Sequence, residues 1–171
     1  MSSYEGPRAR EGQNENRRVV GGVPVQRRSR GRVETSRSFD GTPDQVKRIR
    51  DWCQKAIRMD DERAAPVLLI ANELATNAIQ HSASGERGGR IWVIAQVMPG
   101  DFVLLRVIDD GPRAGRPVTR PYVRGRIEEL SVGGHGMALV SALSEKWWWT
   151  DHPQGLAVWV LIDPNRSPDD D

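Results

Sequence analysis

The sequence predicts an α+β fold, a two-layer sandwich in which helices cover one face of a mainly antiparallel sheet. Two observations lead to this prediction. Apolar residues recur at helical spacing twice early in the chain and once late. The apolar, β-branched runs come in pairs that short turns join, which favours hairpins. We expect one domain over residues 34–163, flanked by a basic tail at 1–33 and an acidic tail at 164–171.

The first predicted elements are an edge strand and two helices. Residues 32–39 alternate in polarity, as an edge strand does. Residues 42–45 resemble a helix start, with Thr42 as the N-cap and a proline at the first helical position, and apolar residues follow at helical spacing over 46–57. A second helix is expected from residue 60 or 61 to about Ser82, and its apolar composition predicts that it is buried on most sides.

The second half of the predicted domain consists of two hairpins separated by a loop and a helix. Residues 91–97 and 102–108 form the first hairpin of buried strands. Residues 110–133 are rich in Gly, Pro and Arg, and a loop of this length inside a domain is usually functional. A third helix is predicted over 137–146, and a closing hairpin over 147–162.

Charge is unevenly distributed along the chain. Residues 1–33 contain eight Arg and three Glu, a net charge of +5, whereas the remainder has a net charge of −3. The tail buries too little apolar surface to offset its ordering entropy, so we expect it to be disordered. Nucleic-acid binding through this tail is an alternative function, but the predicted domain is net acidic and does not favour it.

Composition also limits the location of the protein. The single cysteine, Cys53, excludes an internal disulfide and a cysteine-rich zinc cluster. No apolar run approaches the ~20 residues that span a bilayer, and the N-terminus lacks the apolar core of a signal peptide. We therefore expect a cytoplasmic protein.

Three polar residues lie along one stripe of the second predicted helix. Glu73, Asn77 and His81 are spaced four residues apart, which places them on the same face. A buried helix carries such groups only with partners, because an unpaired buried polar group costs about 1–3 kcal/mol. The alternative is a rim that faces solvent, with a structural His81.

Two further signals follow in the chain. Asp109 and Asp110 end a buried strand before Gly111, where acids also commonly stabilise a turn. Residues 133–136 (GGHG) open the third helix, where glycines would let a phosphate approach backbone N–H groups. Glycines there would equally serve any tight turn.

In combination and in this order, the signals resemble the GHKL ATPases, the family of gyrase, Hsp90, MutL and histidine kinases. Residues 73–81 (ELATNAIQH) resemble its N box, 109–111 (DDG) its G1 box, and 134–140 (GHGMALV) its G2 box. The resemblance spans about residues 34–163. It implies the Bergerat ATP-binding fold, with ATP and Mg²⁺ as cofactors.

The resemblance also implies a role for each motif residue. The catalytic residue is Glu73, as a base or as the residue that positions a water. In the cofactor site, Asn77 is the ligand of Mg²⁺, Asp109 reads the adenine amino group, and Gly111, Gly134 and Gly136 are backbone positions; residues 112–132 are a lid. Two positions depart from the family pattern. Arg113 occupies the place of the second G1 glycine, and residues 155–158 (GLAV) offer no threonine beside the adenine.

Among members of the family, the chain is most similar to small stand-alone anti-sigma factors that are also serine/threonine-protein kinases. A histidine kinase would require a phosphoacceptor histidine before the N box, and no histidine precedes it in this sequence. Few residues follow the last predicted strand. The N box and the late Trp-rich strand resemble actinobacterial members, and the use of 22 Arg against three Lys fits a GC-rich genome.

This class implies the partners of the protein. A kinase of this kind phosphorylates an anti-anti-sigma (STAS) protein and regulates transcription by sequestering a sigma factor. A homodimer is compatible with the class, and neither a membrane nor direct contact with nucleic acid is expected. The alternative is a nucleotide-binding regulatory module without kinase turnover.

Overall fold

A computed structural model describes residues 27–29, 32–121 and 136–166 of the chain. Within these ranges the chain forms six strands and three α-helices. In chain order they are β1 (Arg27–Ser29), β2 (Arg32–Asp40), α1 (Gln45–Ile57), α2 (Asp61–His81), β3 (Arg90–Val97), β4 (Val103–Ile108), α3 (Gly136–Leu143), β5 (Lys146–His152) and β6 (Gly155–Ile162).

The strands form one sheet in the order β1-β2-β3-β4-β6-β5, and every neighbouring pair is antiparallel. Because side chains alternate along each strand, Val93, Val107 and Val158 project from one face and join a core with the buried side of α2. The helices pack on this face, which confirms the predicted α+β sandwich with both hairpins. No helix in the described ranges is long and apolar enough to cross a membrane.

The opposite face of the sheet is covered by its own side chains. Trp159 stacks on Trp148 with ring centroids 5.8 Å apart, and the guanidinium of Arg106 lies 4.4 Å from the Trp159 centroid. Ile94 and Ile108 are buried on this face, and Trp92 and Trp159 pack against the cluster that they form. Two layers of side chains therefore sandwich the sheet, although helices contribute only one of them.

The start of α1 differs from the sequence prediction. Thr42 does not act as the N-cap, because its hydroxyl donates to Asp44 Oδ1 (2.6 Å) instead of accepting a helix N–H. Residues 43 and 44 form a turn, in which the N–H of Gln45 donates to the carbonyl of Thr42 (2.9 Å), and the helix begins at Gln45. The apolar spacing was sufficient to predict the helix but not which residue precedes its first turn.

The third helix is shorter than predicted. Instead of reaching Lys146, α3 ends at Leu143, and β5 begins at Lys146. The backbone N–H of Glu145 donates to the carbonyl of Leu161 (2.9 Å), which draws the chain into the sheet. Pairing with a distant strand therefore takes precedence over local helix propensity.

The predicted tails also overlap the sheet and its surroundings. β1 and the start of β2 lie within 1–33, so strand pairing begins before the expected boundary at residue 34. At the other end, Pro164 is buried and Asn165 Oδ1 accepts from Arg63 Nε (3.0 Å), so the packed chain extends past residue 163. Residues 1–26 and 167–171 lie outside the described ranges.

Candidate functional site

A cavity of about 570 Å³ opens between α2, the ends of β4 and β6, the start of α3 and the segment 112–121. Apolar side chains from α2, β4 and β6 form much of its wall, which suits a flat heterocycle. Most of the residues singled out in the sequence line it together: Glu73, Asn77, His81, Asp109, Gly111 and Gly136. Gly134 and residues 122–132 of the predicted lid lie outside the described ranges.

The polar wall is formed by α2. Glu73 and Asn77 lie one turn apart and face the first residue of α3, Gly136. A Cβ atom on Gly136 would lie 2.6 Å from Glu73 Oε2 and 3.6 Å from Asn77 Oδ1. The first distance is a clash with the Glu73 carboxylate in its observed position, whereas the second is an ordinary van der Waals contact. The tertiary structure thus brings the N box and the G2 box into contact.

Asp109 is held by backbone groups at the far end of the cavity. Its Oδ1 accepts hydrogen bonds from the N–H of Gly111 (2.7 Å) and of Leu156 (3.0 Å). Burial raises the pKa of Asp109, while these two hydrogen bonds act in the opposite direction. No described residue donates to Oδ2, so this oxygen is available to a ligand in the cavity.

Gly155 makes this arrangement sterically possible, and the sequence did not identify it as a site residue. A Cβ on Gly155 would lie 2.2 Å from the nitrogen of Gly111 and 2.3 Å from the carbonyl oxygen of Asp109. Gly111 itself has φ of +77°, a conformation that favours glycine. A glycine at the end of the predicted turn before the last strand was the only local signal of this close approach.

The neighbouring acid, Asp110, has a structural role. Its Oδ2 accepts from the N–H of Arg90 (2.5 Å), and its own N–H donates to the buried hydroxyl of Ser84 (3.0 Å). These bonds tie the end of β4 to the start of β3 and to the turn between α2 and β3. Of the two acids, only Asp109 lines the cavity.

The segment after β4 crosses the mouth of the cavity. Residues 118–121 line it, and Thr119 Oγ1 donates to the carbonyl of His81 (3.3 Å). The guanidinium of Arg120 lies 4.6 Å from the ring centroid of Trp149, on β5. The described part of the predicted lid therefore contacts both α2 and β5.

The residues present are compatible with Mg²⁺. Among the described residues there is no group of three or more His, Cys, Asp or Glu side chains able to hold a metal ion. Mg²⁺ commonly binds through one or two protein oxygens, with waters and substrate phosphates completing its shell. The amide oxygen of Asn77, inside the cavity, is the protein ligand that fits such an ion.

Comparison with known proteins identifies the family. Residues 39–162 match the histidine kinase-like ATPase domain, so this chain belongs to that family. No curated protein matches it. Among solved structures it is similar to the histidine kinase domain of the blue-light activated histidine kinase from Erythrobacter litoralis EL346, at 22% identity and a TM-score of 0.43. The similarity covers 70% of this chain and 59% of that one, so the chain spans less than two thirds of the length of that structure.

Family membership confirms the histidine-kinase-like ATPase domain predicted from the three motifs. It implies that the cavity binds ATP, usually together with Mg²⁺. The geometry agrees with this, because the cavity combines an apolar wall, a carboxylate at one end and an amide beside the start of a helix.

Proposed function

We propose that this protein is an ATP-dependent serine/threonine-protein kinase of the anti-sigma class. It phosphorylates an anti-anti-sigma (STAS) partner and regulates transcription by sequestering a sigma factor. The observation that carries the proposal is the placement of Glu73. Its carboxylate lies in the cavity beside Asn77 and Gly136, and no described residue forms a hydrogen bond or ion pair with it.

The Asp109 end of the cavity would hold the adenine. Oδ1 of Asp109 is already engaged by two backbone N–H groups, which fixes the carboxylate and leaves Oδ2 to accept a proton of the adenine amino group. Leu156 and Val158 form part of the apolar wall against which the base would pack. Because one carboxylate oxygen is held by the backbone and the other is free, Asp109 is suited to recognise adenine rather than to act as a catalytic acid.

The Asn77 end would hold the phosphates. The start of α3 lies against Asn77, and backbone N–H groups at a helix N-terminus favour an anion. Asn77 would contribute its amide oxygen to Mg²⁺, which neutralises charge on the phosphates when it is bound.

Glu73 would act on the incoming hydroxyl. As the substrate serine or threonine oxygen attacks the γ-phosphorus, Glu73 takes up the hydroxyl proton, the bond to the β-phosphate oxygen breaks, and ADP leaves. A carboxylate already bound to a neighbouring side chain would be a poorer acceptor. The lack of such a partner among the described residues therefore supports a catalytic base.

The test uses the purified full chain with ATP labelled at the γ-phosphate, Mg²⁺ and small STAS proteins encoded near its gene. Glu73→Gln should bind ATP with unchanged affinity and transfer no label, because the amide cannot accept the proton. Glu62→Gln is the matched control, since Glu62 is exposed in the first turn of the same helix and does not line the cavity.

Each part of the proposal has its own contrary result. Transfer by Glu73→Gln at the wild-type rate would disprove the base assignment. ATP binding by the wild type without transfer to any STAS protein would instead indicate a nucleotide-binding regulatory module. No binding at millimolar ATP would refute the nucleotide site itself.

A further inference from the structure

We propose that Arg113 is a positioning residue that strengthens nucleotide binding by anchoring the segment 112–121 to the end of α2. The inference rests on the proposed ATP site, and it assigns a function to the side chain that replaces the second G1 glycine. The resemblance alone suggests that an arginine here weakens the site. The contacts of Arg113 suggest the opposite.

The guanidinium of Arg113 caps α2. Its Nε donates to the carbonyl of Ser82 (3.1 Å) and its Nη2 to the carbonyl of Ile79 (3.0 Å). Carbonyls in the last turn of a helix have no partner within the helix, and they form the negative end of its dipole. The guanidinium supplies hydrogen-bond donors to two of these carbonyls, and its positive charge stabilises the negative end of the dipole.

The surrounding chain leaves room for this contact. Gly85 lies beside the helix end, and a Cβ there would lie 2.0 Å from the carbonyl oxygen of Ile79 and 3.3 Å from Nη2 of Arg113. Arg113 is half-buried in this position, although the residues that follow it are exposed. The helix end therefore forms a fitted site for the guanidinium.

The anchor is reinforced on both sides. Before it, the carbonyl of Gly111 accepts from the N–H of Ala83 (2.8 Å), just past the end of α2. After it, the hydroxyl of Thr119 donates to the carbonyl of His81 (3.3 Å). The chain thus leaves the end of α2 at Arg113 and returns to it at Thr119.

Arg113 reaches the nucleotide site only through other residues. It does not line the cavity, whereas Pro112 immediately before it and residues 118–121 after it do. The helix that it caps carries Glu73 and Asn77, and the turn that precedes it carries Asp109. The Arg113 side chain therefore connects α2 and the Asp109 turn, which form two walls of the cavity, with the segment 112–121 across its mouth.

Loss of the anchor should weaken binding by making the segment less preorganised. A nucleotide would then have to order residues 112–121 as it binds, and that entropy cost reduces affinity. We expect Arg113→Ala to raise the Kd for ATP about tenfold, which corresponds to about 1.4 kcal/mol. Arg113→Lys keeps the charge but not the planar fork, so it should restore only part of the affinity.

The experiment compares Arg113→Ala and Arg113→Lys with Arg116→Ala in the full chain. Arg116 is exposed in the same segment, and its side chain forms no hydrogen bond or ion pair with a described residue. Arg116→Ala therefore removes the same charge as Arg113→Ala without removing a helix cap. Calorimetry with Mg-ATP gives the Kd, and hydrogen exchange without nucleotide reports on residues 112–121. We expect weaker binding and faster exchange in Arg113→Ala, an intermediate Arg113→Lys, and an Arg116→Ala equal to the wild type.

Two results would overturn the inference, and they differ from failure of the proposed function. If Arg113→Ala lowers the melting temperature but leaves both the Kd and the exchange unchanged, the arginine is only a helix cap. If Arg116→Ala weakens binding as much as Arg113→Ala, the effect is one of general charge. A wild type that binds no ATP would refute the nucleotide site, and the claim on affinity with it.

Discussion

Replacing Asp109 by asparagine should separate ATP binding from folding. In the wild type, Oδ1 of Asp109 accepts from two backbone N–H groups, those of Gly111 and Leu156, while Oδ2 is available to the cavity. The amide oxygen of asparagine can take over the two internal hydrogen bonds. Its NH₂ group would then replace Oδ2, and it would present a donor to the adenine amino group, which is itself a donor.

The structure sets the size of the expected effect. A hydrogen bond to a charged group contributes about 1.5–3 kcal/mol, so Asp109→Asn should weaken ATP binding by about 10- to 100-fold. Folding should change little, because the internal bonds persist and the cost of burying a charge disappears. Asp109→Ala differs, since it leaves two buried N–H groups unpaired at about 1–3 kcal/mol each.

Calorimetry and thermal melting of the two variants together provide the test. Asp109→Asn should lose affinity at a melting temperature close to that of the wild type, and Asp109→Ala should lose both. If Asp109→Asn binds Mg-ATP as tightly as the wild type, Oδ2 does not contact the adenine. If its melting temperature falls as far as that of Asp109→Ala, the internal bonds require the charge, and the argument for separation is wrong.

Three further predictions follow from the geometry. In Gly136→Ala the new Cβ displaces only the flexible carboxylate of Glu73, so the melting temperature should persist while phosphate transfer falls by about 100-fold, as single-turnover assays would show. Because burial raises the pKa of Asp109, the part of the ATP affinity that needs its carboxylate should be fully present above that pKa and be lost as the pH falls through it. Calorimetry at a series of pH values should show this pH dependence in the wild type and not in Asp109→Asn. Deleting 1–26 should leave the melting temperature unchanged, whereas deleting 1–31 removes β1 and should lower it by about 2–4 °C in calorimetric scans.

Much of the fold was predictable from the sequence because its signals are local. The apolar spacing along α2 predicted a helix from residue 60 or 61 to about 82, and the structure has Asp61–His81. The side chain of Asp60 caps it by accepting from the N–H of Arg63 (3.0 Å). Both hairpins were likewise predictable from paired apolar runs and short turns.

The content of the site was also visible in the sequence, but not its geometry. The four-residue spacing of Glu73 and Asn77 already placed them on one helix face. Which of two adjacent acids faces the cavity was not decided locally. It follows from pairing of Asp110 with Arg90 and of Asp109 with Leu156, contacts between residues 20 and 47 positions apart.

Local sequence patterns therefore predicted the order of the main elements, the family and the motif residues that line the cavity. Three features depend on how distant segments pack: the close approach of Gly155 to the Asp109 turn, the end of α3, and the capping of α2 by Arg113 from 31 and 34 residues away. The physical reason is the range of the interactions. Helix and hairpin patterns are encoded within a few residues, whereas a close backbone approach or a capping guanidinium exists only after distant segments have packed together.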